Sequence, residues 1–280
     1  MVKAQTSNYF NRIITILVLL FLCFIVLAPF GVMGSYSIRT ENELYDLNIS
    51  FIPKNPTLDA YHELIANNEF LFKWIFNSLY VTVTSTLLVI IFSAMMAYAI
   101  ANFRFHGRKG LWFIIAMTQS IPWIIPLIPL YIMLSNMDVL DSLNTVMIVY
   151  TACFIPTSVW LMVGFFKKIP KDISEAARID GCSNWGVLLR IIIPLSTNAL
   201  CAIGLTAFIG GWGDYVTVTT IIRSKEVWTL PIAIQSLKGP FYTAWTQIMA
   251  LGTIVSVPVV IIFLWLQKYL VNLLAGGVKE

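Results

Sequence analysis

The chain has 280 residues, of which 58% are hydrophobic and only 11% are charged, and its formal net charge is +4. Soluble domains carry about 25% charged residues, so this composition excludes an ordinary soluble protein and predicts an integral membrane protein. The four cysteines have neither paired spacing nor a neighbouring histidine cluster, so we expect no disulfide and no bound metal.

Six apolar windows are long enough to cross the roughly 30 Å hydrocarbon layer as helices. In chain order they cover residues 13–34, 76–101, 111–134, 143–166, 196–221 and 246–268. With the N-terminus placed in the cytosol, twelve of the 18 Lys and Arg residues fall in cytosolic segments, as the positive-inside rule requires. The sequence therefore predicts an all-α, multi-pass membrane protein, one domain over residues 1–280, with both termini cytoplasmic. The positive charge follows from this topology and does not predict nucleic-acid binding.

A long external loop, residues 35–75, connects the first two windows. Pro53 and Pro56 indicate extended structure, and apolar residues from Leu58 onward recur at helical spacing. Two interpretations remain open for this loop: it is a contact surface for an external partner, or it is a lid that packs on its own helices.

Three prolines interrupt the third window at positions 122, 126 and 129. Each removes a backbone hydrogen-bond donor, so we expect the helix to bend or unwind there. In lipid this is tolerated where the freed carbonyls face protein or a wet cavity. The prolines therefore predict either a bent wall beside a translocation path or a simple kink for packing.

The segment 167–194, between the fourth and fifth windows, is polar and charged. Pro170 ends the preceding helix, and Asp172 followed by Glu175 has the spacing of a capping box at the start of a new helix. Gly181 suits the left-handed residue that ends such a helix. The helix is expected to offer one small apolar face to a groove in a partner, made by Ile173, Ala176 and Ala177.

The fifth window contains Asp214, the one acidic residue within any of the six windows. Glycines at 210, 211 and 213 either loosen the helix or let a neighbour approach closely. Trp212 and Tyr215 offer ring faces on which sugars stack, and the carboxylate can accept hydroxyl hydrogen bonds. Three roles stay open for Asp214: sugar contact, a structural bond to a neighbouring span, or an ion or proton site.

The pattern from Glu175 to Pro194, Glu-Ala-Ala-x3-Gly-x9-Ile-x-Leu-Pro, resembles the cytoplasmic coupling loop of ABC importer permeases, with Ile193 in the place of the Leu. From Pro53 to the tail, nearly the whole chain resembles the carbohydrate-uptake family, on its maltose-type second-permease branch. The resemblance implies the six-helix type I importer permease fold with a cytoplasmic coupling helix. It also makes the external loop a candidate contact for a binding protein.

The resemblance implies a sugar importer, for a di- or oligosaccharide, working by alternating access in the bacterial cell membrane. Its partners would be a homologous second permease, two ATP-binding subunits and an extracellular or periplasmic sugar-binding protein. ATP and Mg would bind to the partner ATPases and no cofactor to this chain. The sequence agrees, because no Gly is followed by Lys and so no Walker A loop is present. The alternative is an ion-coupled secondary transporter with Asp214 as its ion or proton site.

The resemblance also implies residue roles. Contact with the ATPase would be made in the coupling loop by Glu175, Ala176, Ala177, Arg178, Asp180 and Gly181. The C-terminal tail would reach the ATPase dimer through Gly276, Gly277, Val278 and Lys279. The translocation path would include Pro122, Pro126, Trp212, Asp214 and Tyr215. Related permeases often carry Trp-Asn before the acidic residue, whereas here Gly213 replaces the Asn.

Overall fold

The structure, a computed structural model, describes residues 2–45, 50–239 and 242–276. The regular secondary structure of the described part is helical, apart from one isolated β-bridge that pairs Lys238 with Thr243. The helices are α1 (Val2–Ser37), α2 (Asp59–Asn67), α3 (Leu71–Asn102), α4 (Arg108–Thr118), α5 (Leu127–Asn136), α6 (Leu143–Phe166), α7 (Lys171–Ile179), α8 (Asn184–Val187), α9 (Ile193–Leu195), α10 (Thr197–Trp212), α11 (Val216–Ile221), α12 (Leu230–Ser236) and α13 (Trp245–Gly276). Short 3₁₀ turns cover Glu41–Tyr45 and Lys225–Val227, and a π-helical turn over Leu188–Ile192 joins α8 to α9.

Four helices of the described residues are long and apolar enough to cross a membrane unbroken. They are α1, α3, α6 and α13, and they cover the first, second, fourth and sixth predicted windows. These four windows could be predicted from the sequence because each contains about 20 consecutive, predominantly apolar residues, which a hydropathy profile detects.

The third window is not one continuous helix. α4 ends at Thr118 and α5 begins at Leu127, and turns occupy the residues between them. α5 has 10 residues, too few to cross the hydrocarbon layer alone. The unwinding predicted from the prolines is confirmed at Pro122 and Pro126, which have no amide hydrogen to continue a helical ladder, whereas Pro129 lies in the first turn of α5.

The fifth window is also interrupted. α10 ends at Trp212, and α11 begins at Val216. At its other end, the stretch Asn184–Leu195 meets α10 at an 80° bend. This stretch therefore runs nearly perpendicular to α10, as expected of a segment that lies along the membrane surface beside a spanning helix.

Glycines let α10 approach α6 closely. A Cβ atom built on Gly210 would lie 2.6 Å from the Phe154 ring, and one on Gly211 would lie 3.2 Å from the Tyr150 ring. Of the two alternatives that the glycines left open, close approach is thus what the structure shows at these two positions.

The chain divides into two compact units. The first comprises Met1–Leu71 and Ile234–Val257, and the second comprises Phe72–Ala233 and Pro258–Glu280. The prediction that residues 1–280 form one domain stays a prediction.

In the first unit, the loop after α1 is tied down by polar contacts. Arg39 and Glu43 are both buried and form an ion pair with a nitrogen–oxygen distance of 3.4 Å. Glu41 accepts hydrogen bonds from the backbone amides of Trp245 and Thr246 and so caps the start of α13. Of the two interpretations of this loop, these contacts support packing on its own helices, while its contact with a binding protein stays a prediction.

Candidate functional site

α7 is the helix predicted to couple the chain to a partner. It begins directly after Pro170, whose ψ of 131° is extended, and no side chain caps its N-terminus. The capping-box prediction is wrong, because the helix starts at Lys171 and Asp172 already lies in its first turn. There the Asp172 charge still interacts favourably with the helix dipole. The left-handed turn predicted at Gly181 is confirmed, with a φ of 87°.

The inward face of α7 carries Ser174 and Ala177, which are 4% and 8% exposed. Ala177 packs in a core with residues of α3, α6 and α10. The expected partner face of Ile173, Ala176 and Ala177 is therefore wrong as a unit: Ala177 belongs to the core of its own chain, Ile173 is only 40% exposed, and Ala176 alone lies on the face described next. Gly181 and Asp180 follow the helix and are exposed.

The opposite face of α7 points away from the chain. Its members recur at i, i+3, i+4 and i+7, the spacing of one helical face, and all are exposed. We call them the outward face: Asp172, Glu175, Ala176 and Ile179. Ile179 is 86% exposed, the highest exposure of any large hydrophobic residue that the structure describes. An apolar tip at one end of a face that also carries two carboxylates is the surface expected for a partner that has an apolar recess with basic groups beside it.

Neither carboxylate of the outward face has an ion-pair partner among the described residues. Arg178 does not supply one: its guanidinium carbon lies 5.9 Å from the centre of the Phe103 ring, a cation–π contact within the chain. Asp172 and Glu175 are thus available for a cationic partner.

The connection after α7 extends this exposed surface. Ser183 accepts a hydrogen bond of 3.1 Å from the Gly186 amide and caps α8. Trp185 and Leu189 are 57% and 58% exposed along the stretch that leads to the 80° bend. The stretch therefore adds exposed apolar surface next to α7 for a protein that binds α7.

A cavity of about 560 Å³ lies between α6, α10 and the interruption of the third window. Its lining combines aromatic rings with polar groups and comprises Trp123, Tyr150, Cys153, Phe154, Thr157, Ile209, Gly210, Gly213 and Asp214. Four of these residues, Tyr150, Cys153, Phe154 and Thr157, come from α6. They share one helical face, because the last three follow Tyr150 by three, four and seven positions.

Asp214 lies at the end of α10, where it contributes to the cavity and to the next helix. Its Oδ1 accepts a hydrogen bond of 3.2 Å from the Thr217 amide, in the first turn of α11. The hydroxyl of buried Tyr150 has no hydrogen bond of good geometry within the described part of the chain, but it lies within electrostatic reach of the Asp214 carboxylate. Asp214 therefore lines the cavity and accepts a local hydrogen bond from α11, while its predicted bond to a neighbouring span stays a prediction.

The residues predicted for the translocation path are not all brought together. Only Asp214 lines the cavity. Trp212 is 3% exposed and stacks on Phe208 with ring centres 5.5 Å apart, whereas Tyr215 is exposed outside the cavity. The expected cluster of Trp212, Asp214 and Tyr215 is therefore wrong as a single site, because only Asp214 lines the cavity. Whether Trp212 and Tyr215 belong to the translocation path stays a prediction. Pro122 and Pro126 are exposed within the interruption.

Sequence reasoning missed the aromatic lining of the cavity. Trp123 lies between the prolines whose unwinding carries it there. Tyr150, Phe154 and Thr157 were detectable as a stripe at helical spacing within the fourth window. Nothing in the sequence indicated which neighbouring element this stripe faces.

A polar cluster holds together the elements next to the cavity. Asp141, with a φ of 58°, accepts hydrogen bonds from the amides of Arg223 and Ser224 at 2.8 and 3.0 Å, and from the Ser224 hydroxyl. Burial raises the pKa of the Asp141 carboxyl, but the bonds donated by Ser224 and Arg223 outweigh burial and leave this pKa below its ordinary value. Arg223 also donates to the Tyr131 hydroxyl. The cluster joins α5 and the start of α6 to the end of α11.

The C-terminal prediction falls at the limit of the described residues. α13 runs to Gly276. Gly277, Val278 and Lys279 lie outside the described residues, and their contact with an ATPase stays a prediction.

Comparison with known proteins agrees with this architecture. Residues 89–275 match the family described as binding-protein-dependent transport system inner membrane component. The galactooligosaccharides transport system permease protein GanQ of Bacillus subtilis (strain 168) is 34% identical over 282 residues, covering 98% of each chain. The maltodextrin transport system permease protein MdxG of the same organism is 29% identical and covers 99% of each chain.

A solved structure shares the fold. The crystal structure of a bacterial ABC transporter involved in the import of the acidic polysaccharide alginate matches with a TM-score of 0.82 at 24% identity, covering 94% of this chain and 98% of that one. The expected type I importer permease fold is confirmed. The chain belongs to the family of binding-protein-dependent transport system inner membrane components, and it is a permease subunit of an ABC importer.

Proposed function

We propose that this chain forms part of the pore through which an ATP-driven importer carries an oligosaccharide into a bacterial cell. The cavity beside Asp214 is the observation that carries the proposal. Relatives over nearly the whole chain bear names for galactooligosaccharide and maltodextrin transport, which supports the same class of substrate here.

The cavity has the chemistry that a sugar needs. Trp123, Tyr150 and Phe154 supply ring faces for the apolar side of a pyranose. Asp214 and Thr157 supply oxygens that accept hydrogen bonds from hydroxyl groups. The volume of about 560 Å³ falls within the roughly 300–1,000 Å³ usual for ligand pockets.

The outward face of α7 is the proposed contact with an ATP-binding subunit. Ile179 would enter an apolar recess of that subunit, and Asp172 and Glu175 would pair with basic groups around it. ATP and Mg bind to the two ATPase subunits and not to this chain. Closure of the ATPases on ATP moves α7, and with it the helices of the cavity, to give alternating access.

The remaining partners belong to the same proposal. A homologous second permease completes the pore, and a binding protein delivers the sugar from outside. The segment 167–194 lies in the cytosol with both termini, which agrees with the distribution of Lys and Arg.

The cavity is tested by oligosaccharide uptake in vesicles that contain the assembled importer. Trp123→Ala removes a stacking surface and is expected to raise the KM for uptake about tenfold. Tyr215→Ala is the matched control, because it removes an exposed aromatic ring that does not line the cavity. An equal or larger effect of Tyr215→Ala would contradict the assignment.

A further inference from the structure

A second recess, the α4–α6 groove, lies away from the sugar cavity, where the end of α6 meets the start of α4. It has a volume of about 330 Å³. Trp112 contributes from α4, Trp160 and Gly164 from α6, and Lys167 and Lys168 from the residues that follow α6.

The mouth of the groove is basic. Lys167 and Lys168 are both exposed, and the Lys167 ammonium lies 5.3 Å from the centre of the Trp112 ring. No acidic side chain is among the described lining residues. Arg104 and Lys109, exposed in the turn before α4 and in its first turn, add to the positive potential of this end. The groove therefore attracts anions.

The body of the groove is apolar. Apart from the two ammonium groups and the indole N–H groups, the lining carries no polar side-chain atom in the described structure. A sugar would leave its hydroxyl groups without partners there, whereas an acyl chain needs none. A Cβ atom built on Gly164 would meet nothing within 4 Å, so open space extends above this residue.

The position of the groove matches the depth of lipid headgroups. α6 is a candidate membrane span that ends at Phe166, so the two lysines stand where the hydrocarbon layer ends. Trp160 is 49% exposed one to two turns earlier, as is usual for aromatic residues at a membrane boundary. Basic pockets between spans on the cytoplasmic side are a known form of anionic-lipid site.

We propose that the α4–α6 groove binds one anionic phospholipid. Its phosphate lies between Lys167 and Lys168, and one acyl chain runs past Gly164 along Trp160. Because Lys168 is two residues before Pro170, the bound headgroup lies beside the segment that leads into α7. The site thus links the surrounding lipid to the coupling helix, independently of which solute the importer carries.

The test uses the assembled importer in nanodiscs of phosphatidylcholine with increasing phosphatidylglycerol, whose acyl chain carries a photoreactive group. After irradiation, cross-links are expected on residues 160–164. Each lysine near an anionic headgroup strengthens binding about fivefold, so the double variant Lys167→Gln/Lys168→Gln is expected to require about thirty-fold more phosphatidylglycerol for half-maximal cross-linking. The double variant Arg104→Gln/Lys109→Gln is the matched control, with the same loss of charge at the same end but outside the groove.

Because a Cβ atom on Gly164 meets nothing within 4 Å, a larger side chain there projects into the groove, and we expect Gly164→Leu to abolish the cross-links while the importer still assembles. Equal cross-linking in both double variants would overturn the proposal and leave only non-specific attraction to charged lipid. A Gly164→Leu importer that fails to assemble would also overturn it, because the groove would then be a protein interface.

Discussion

Truncation of Ile179 measures what the outward face contributes to binding of an ATPase subunit, without a large change in the stability of the fold. Its side chain is 86% exposed, so Ile179→Ala removes almost no packing from this chain. Surface substitutions of this kind change the free energy of unfolding by about 0.5 kcal/mol or less. If the side chain becomes buried against an ATPase subunit, the three carbon atoms lost correspond to about 2 kcal/mol of binding. This equals about a thirty-fold weaker association of the ATPase with the permease.

Ile173→Ala provides the matched comparison within the same helix. Ile173 is only 40% exposed and lies off the outward face, so its truncation is expected to weaken ATPase association less than half as much in free energy. Association is measured by titrating purified ATPase subunit onto the membrane-embedded permeases, and thermal unfolding of each variant checks the fold. The reasoning is refuted if Ile173→Ala weakens association as much as Ile179→Ala, or if Ile179→Ala unfolds the chain at a clearly lower temperature.

Three further predictions follow from other contacts. Glu175→Ala removes a charge that would be paired and desolvated in the assembled importer, and losing such a pair weakens binding by about 2–5 kcal/mol. ATP hydrolysis should therefore persist while uptake falls, and normal uptake would show that Glu175 has no coupling role. Gly210→Val places new atoms against the Phe154 ring, which lies 2.6 Å from a Cβ built on Gly210, and should lower the free energy of unfolding by about 1–3 kcal/mol. Calorimetry in detergent measures this change, and no change would mean that α10 and α6 are not closely packed there. The pKa of Asp141 is lower in the folded state than in the unfolded state, so its bonds to Ser224 stabilise the fold at neutral pH, and this stability is lost as the pH falls through the folded-state pKa. Asp141→Asn should remove that part of the acid dependence, and an unchanged acid unfolding curve would contradict the assignment.

Hydropathy predicted most of the membrane architecture, and the prolines predicted the break in the third window, but the break in the fifth window was not located. α6 coincides with the window 143–166, because a run of apolar residues needs only local information to be recognised as a span. The unwinding near Pro122 and Pro126 was predicted for the same reason, since proline acts on its own turn. The break between Trp212 and Val216 was not located, because glycines permit either a continuous helix or a turn and packing decides between them.

The faces of the site depend on tertiary contacts that the sequence does not contain. Ala177 and Ala176 are neighbours of the same type, yet Ala177 is buried and Ala176 is exposed because the core covers one side of α7. The cavity likewise needs three separate elements, so Trp123 and Phe154 could not be paired from spacing alone. The coupling segment could be recognised because its whole pattern lies within twenty consecutive residues.

The central claim is tested most directly by oligosaccharide uptake into vesicles that contain the complete importer and its binding protein, loaded with or without ATP. We predict that uptake requires ATP on the side of the membrane where the ATPase subunits lie, that it does not respond to an ion gradient, and that Glu175→Ala lowers it. Uptake without ATP that is driven by a proton or sodium gradient and lost in Asp214→Asn would contradict it and make Asp214 the coupling site.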